Sequence, residues 1–145
     1  MITTLLLATA AQLAALEPIV GNWHSADPAE KTDVTSRCAW SPARRFVICD
    51  QEGVVEGKPF SALSIYGWSD AKGSHIFFGA QNGGDPSSTA LQIEGKTWTY
   101  LPGAGGTWKT TNEFLDPNTY EFKVLHTEDG KTWKVMKSGR SVRIK

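Results

Sequence analysis

After Val20 no stretch keeps apolar residues at helical spacing. Short runs rich in Val, Ile, Thr, Tyr, Phe and Trp recur instead between clusters of Gly, Pro, Asp and Asn. The pattern predicts strands near 20–25, 33–41, 45–54, 60–68, 74–81, 88–94, 96–101, 107–115, 119–127 and 131–144, the last with a possible break at Ser138-Gly139. The connections are too short for crossover helices, so neighbours are expected to pair antiparallel in up-and-down order, and closing such a meander removes its exposed edges. The expected fold is all-β: one antiparallel up-and-down barrel of about ten strands, occupying 11–145 and preceded by a short helical lead-in.

Two hairpins offer a register. Asp129-Gly130 is a type I′ signal that sets His126 opposite Trp133 and Val124 opposite Val135, with Tyr120, Phe122, Val124 and His126 on the inner face. A five-residue loop, Pro102 to Gly106, sets Tyr100 opposite Trp108 and Trp98 opposite Thr110, leaving Thr97, Thr99, Lys109 and Thr111 on the solvent side. Residues 62–68 and 75–78 carry apolar groups at both parities, as strands covered on both faces do; the N-terminal segment is the candidate cover. The longest irregular stretch, 82–88, is the candidate mobile rim.

Residues 1–10 are free of charge, and Ala8-Thr9-Ala10 is a small-x-small sequence of the kind cleaved after a secretory signal. The basic n-region of such a signal is missing. The segment reads either as a signal-peptide remnant whose start lies upstream or as a structural helix. It falls short of the ~20 apolar residues that span a bilayer. Cys38 and Cys49 flank a strand-turn-strand run with Pro42 placed to start a type I turn, and a hairpin folded about Ala43 and Arg44 sets the two thiols directly opposite. A disulfide there, as against two reduced buried thiols, points to an oxidising compartment, periplasmic or secreted.

Lysine plus arginine and aspartate plus glutamate both number 15, so no net field favours nucleic acid. Two cysteines cannot make a structural zinc site alone, and the chain has no His-Glu-x-x-His, Gly-x-Ser-x-Gly, P-loop or EF-hand pattern. No residue is assigned a catalytic or metal-binding role. Trp23 in the first strand and Arg140 or Arg143 in the last can meet on closure and stack guanidinium on indole, holding the barrel shut.

The six tryptophans either fill the core or line a cavity. His126 is the histidine to test as acid/base, haem ligand or ligand donor, although a lone inward histidine is more often a satisfied core residue. The leading expectation is a carrier or sensor holding a small hydrophobic or aromatic molecule against Trp98, Tyr100, Trp108, Tyr120, Phe122 and Trp133, oriented by His126. The alternatives are an isomerase- or hydrolase-type enzyme with His126 as base, a haem-binding barrel, and a structural envelope protein with a filled core.

Several ordered features carry a resemblance. They are Leu16 to Trp23 leading into Gly-x-Trp, the Cys38–Cys49 hairpin, Gly57-Lys58-Pro59-Phe60 feeding a strand that ends Tyr66-Gly67-Trp68-Ser69-Asp70, and Asp129-Gly130-Lys131-Thr132-Trp133. In these the chain resembles calycin-type β-barrels, and within them an uncharacterised bacterial family of exported, lipocalin-like proteins. The resemblance implies an antiparallel barrel, sometimes with an internal pocket, and brings no catalytic residues. The related nitrobindins bind haem through a histidine on a late strand, a position His126 matches only loosely.

Overall fold

A computed structural model describes residues 10–145. The signal-peptide reading of the N-terminus therefore lies almost wholly outside the described residues. Ten strands follow in order: β1 (Gly21–Asp27), β2 (Thr32–Trp40), β3 (Val47–Val55), β4 (Lys58–Ser69), β5 (Ser74–Gln81), β6 (Ser87–Glu94), β7 (Thr97–Tyr100), β8 (Trp108–Asp116), β9 (Thr119–His126) and β10 (Lys134–Ile144). Each pairs antiparallel with its sequence neighbour, and β10 returns to β1, so the sheet closes. This is the all-β up-and-down barrel that period-two alternation and short turns dictate.

Up-and-down order sorts the connections onto two ends. One end carries the N-terminal lead-in and the turns 41–46, 70–73, 95–96 and 117–118; the other carries 28–31, 56–57, 82–86, 101–107 and 127–133. The first end is plugged. Trp23 is fully buried there, its indole N–H donates to the Ile19 carbonyl at 2.8 Å, and Tyr120 and Phe114 pack edge-on against it. The Arg143 guanidinium lies 4.3 Å over the same indole. It also donates to the backbone carbonyls of Val20, Pro18 and Pro117. Gly21 makes room for it, since a Cβ at that position would collide with Arg143 Nη1. Arg140, the other arginine considered for closure, points outward and pairs with Glu121 on the neighbouring strand.

The lead-in is helical over 10–14 and continues into a 3-10 turn, Glu17–Ile19. Leu13, Leu16 and Ile19 join the core cluster, and a ring nitrogen of the inward His75 sits 2.7 Å from the Gln12 carbonyl oxygen. The segment thus closes an end of the barrel. It does not cover β4 and β5, whose outer face leaves Leu63 and Phe78 exposed beside Ile48. The double-sided apolar pattern of these strands reflects an uncovered outer face.

Cys38 and Cys49 are direct cross-strand partners joined by a disulfide, both buried. The intervening turn closes through Arg44 N–H to the Ser41 carbonyl at 2.8 Å, with Pro42 in its second position. A disulfide is retained in oxidising compartments. Among the described residues no helix is long and apolar enough to cross a membrane.

Two expected registers are corrected at the other end. His126 pairs with Lys134 and Val124 with Lys137, with a bulge between Val135 and Lys137. The reason is Asp129. Its carboxylate accepts from the Thr127 hydroxyl and from the Lys131 and Thr132 amides, while Gly130 N–H donates to Thr127 Oγ1, so 127–133 forms a wide side-chain-braced loop in place of a two-residue turn. These bonds, the Thr132 and Lys131 amides first, hold the Asp129 carboxyl well below its ordinary range. Tyr100 pairs with Thr110, and Trp98 with Asn112. The slip is two residues, so face parity survives, but Trp108 now lies beyond the end of β7.

Candidate functional site

Large rings fill the plugged half of the barrel. Trp23, Trp98, Phe114, Leu91 and Val47 are buried there with Tyr66 and Tyr120 above them. Toward the other end the inward positions become small or polar, as with Ser36, Ser64, Thr110 and Ser25, and a cavity of about 430 Å³ opens to solvent. A second lobe of about 510 Å³ continues beneath the 82–86 loop and shares Gln51, Ser64 and Phe77 with the first. Such volumes fall within the range of small-molecule sites.

Glycines keep the space open. The Phe122 ring lies over Gly139, its cross-strand partner, and the Phe77 ring over Gly79 two residues along the same strand. Either ring would collide with a Cβ at the glycine, at 2.4 Å and 2.8 Å respectively. With no Cβ there, both rings fold flat against the wall. Val34, Val55 and Phe60 complete the apolar lining.

The polar lining holds two hydrogen-bonded groups. The Tyr66 and Tyr100 hydroxyls are 2.9 Å apart, and Asn112 Nδ2 donates to Tyr100 Oη at 3.2 Å. Across the cavity Gln51 Nε2 donates to Ser36 Oγ at 2.8 Å. Burial is the leading cause that pushes the Tyr66 and Tyr100 phenols well above their ordinary pKa and raises that of Tyr120; bonds to Tyr100 and Ser141 partly oppose it at Tyr66 and Tyr120. These three are all the tyrosines of the chain. They remain neutral donors throughout the physiological range. Among the lining residues of the 430 Å³ lobe Lys137 is the one ionisable group with a charge at neutral pH, and its ammonium lies 3.6 Å from Glu56, in the turn after β3. Two strands separate β10 from β3, so this pair reaches over the mouth.

Of the seven residues expected to meet a ligand, Tyr100, Tyr120 and Phe122 line the cavity. Trp98 lies beneath it, fully buried against Tyr66 and Phe114. Trp108 is 52% exposed at the rim and tilts over His126 at 4.5 Å between centroids. Trp133 belongs to the 127–133 loop, with the Lys109 ammonium 4.2 Å over its ring. None of the six tryptophans and none of the histidines is among the lining residues. The cavity therefore presents no imidazole to a haem iron.

The residues that sequence reasoning passed over are Tyr66, Asn112, Gln51, Ser36 and the two glycines. Signals existed for some. An asparagine inside the threonine-rich β8 is a residue strands usually avoid, and a glycine inside a strand marks close approach by another group.

Among the described residues no group of three or more His, Cys, Asp or Glu side chains is placed to hold a metal ion. Compared with known proteins, the chain matches no family model and no curated relative.

Proposed function

We propose that the protein is a carrier or sensor that takes a small apolar or aromatic molecule into the open half of its barrel. The observation that carries this reading is the glycine-backed cavity: Phe77 and Phe122 lie flat on backbone, and the phenol–amide cluster of Tyr66, Tyr100 and Asn112 stands beside them in the same wall. A barrel serving only as a structural element gains stability by filling such space, because an unfilled core costs contact energy. The cluster of Tyr66, Tyr100 and Asn112, rather than His126, is suited to orient the ligand. His126 lies under Trp108 outside the lining, which disfavours the reading of a histidine-dependent enzyme.

An exported setting, periplasmic or secreted, accords with the Cys38–Cys49 bond, and a calycin-like ancestry accords with the ten-stranded meander. The test is titration with N-phenyl-1-naphthylamine, a neutral dye that brightens in apolar surroundings. Saturable brightening at one dye per chain is expected. A linear, unsaturable response contradicts the proposal.

A further inference from the structure

A proton inventory of the polar wall narrows the ligand further, given that the cavity is the ligand site. Each phenol carries one donor hydrogen. The Tyr66–Tyr100 contact uses one of the two, whichever hydroxyl donates, and Asn112 adds a donor to Tyr100 without taking one up. One O–H of the pair is left without a partner among the described residues, in the wall of the cavity.

Charge works in the same direction. The lining of this lobe is neutral apart from Lys137, and that ammonium already faces Glu56 at the mouth. A carboxylate brought to the phenols would lose its water with no cation beside it, whereas a neutral carbonyl loses little and gains the spare hydrogen. We propose that the cavity selects neutral molecules bearing a carbonyl acceptor, such as aromatic ketones, aldehydes or amides, and rejects carboxylates of the same shape.

The experiment compares three molecules on one ring system, 2-ethylnaphthalene, 2-acetylnaphthalene and 2-naphthoate, by calorimetric titration at neutral pH. Both neutral compounds are expected to bind, the ketone at least as tightly as the hydrocarbon, and the naphthoate about tenfold or more weaker than the ketone. In Tyr66→Phe/Tyr100→Phe/Asn112→Leu every member of the cluster gives way to an apolar group of similar shape, a change folded proteins tolerate well. There the ketone is expected to weaken about fivefold or more relative to the hydrocarbon, the size of one neutral hydrogen bond.

Naphthoate binding as tightly as the ketone overturns the inference. So does a hydrocarbon that outcompetes the ketone about tenfold in the natural protein, or an unchanged ratio in the triple variant. Failure of all three compounds to bind sinks the cavity reading itself, and the inference with it. If the triple variant does not fold, the carbonyl stretch of the ketone bound to the natural protein decides: a frequency lowered from its value in hexane supports the phenol bond, and an unshifted one refutes it.

Discussion

Phe122 and Gly139 face each other across β9 and β10, and the aromatic ring occupies the space that any other residue at 139 would fill with its Cβ. The backbone at Gly139 is not left-handed, so the constraint is space alone. Gly139→Ala is expected to swing the ring into the cavity. Overpacking costs about 1–3 kcal/mol in stability. Affinity for N-phenyl-1-naphthylamine is expected to fall about tenfold or more, since the ring takes up ligand volume. A denaturant melt and a dye titration on the same preparation check both; full affinity in a folded variant contradicts the assignment.

Tyr66 and Tyr120 are buried and Tyr100 half-buried, and all three phenols are held above their ordinary pKa of 10.0, so the folded protein binds more protons in strong alkali than the unfolded chain does. Their contribution to stability is complete below the unfolded pKa and is lost as pH rises through the folded values. Phenolate absorbance near 295 nm is expected to stay flat past pH 10 and then rise together with loss of the barrel's circular dichroism. A phenol that ionises with its ordinary pKa in the folded protein would show that the interior is wet around it.

Arg143 ties three carbonyls to the Trp23 face. Arg143→Leu removes these charge-assisted bonds together with the cation–π contact, and a loss of about 2–4 kcal/mol is expected in urea unfolding. Arg140→Leu removes only an exposed pair with Glu121 and is expected to change stability by less than about 1 kcal/mol. Equal costs for the two would refute the assignment of closure to Arg143.

The Cys38–Cys49 bond closes a short loop, for which the chain-entropy relation gives about 3 kcal/mol. Cys38→Ser/Cys49→Ser is expected to lower the midpoint of denaturation accordingly while dye binding survives, because neither cysteine lines the cavity. Loss of binding in a folded double variant would mean that the hairpin shapes the site.

What could be read from the sequence was local. Strand alternation and a symmetric hairpin about Ala43 and Arg44 depend on residues whose spacing fixes their geometry; the pairing of Trp23 with a late arginine is the long-range exception, and it follows from the closure of β1 on β10. The loops at the open end were misjudged because side chains set their length. Asp129 gathers the amides of Lys131 and Thr132, and Thr127 N–H reaches the Thr107 carbonyl of the neighbouring loop.

That loop geometry carries Trp108, His126 and Trp133 away from the interior, so the tryptophan-rich lining expected of the chain gives way to a phenol-rich one. The cavity itself was illegible for another reason. Its wall is assembled from Ser25, Ser36, Ser64 and Thr110 on four different strands, and no short-range pattern relates residues so far apart in the chain.

The most direct measurement is a backbone amide NMR titration with N-phenyl-1-naphthylamine. The account predicts saturating shifts at Ser36, Gln51, Ser64, Tyr100, Asn112 and Phe122, the strands around the open cavity. Shifts confined to 127–133 and the Trp108 rim, or to the exposed face around Leu63 and Phe78, would contradict it.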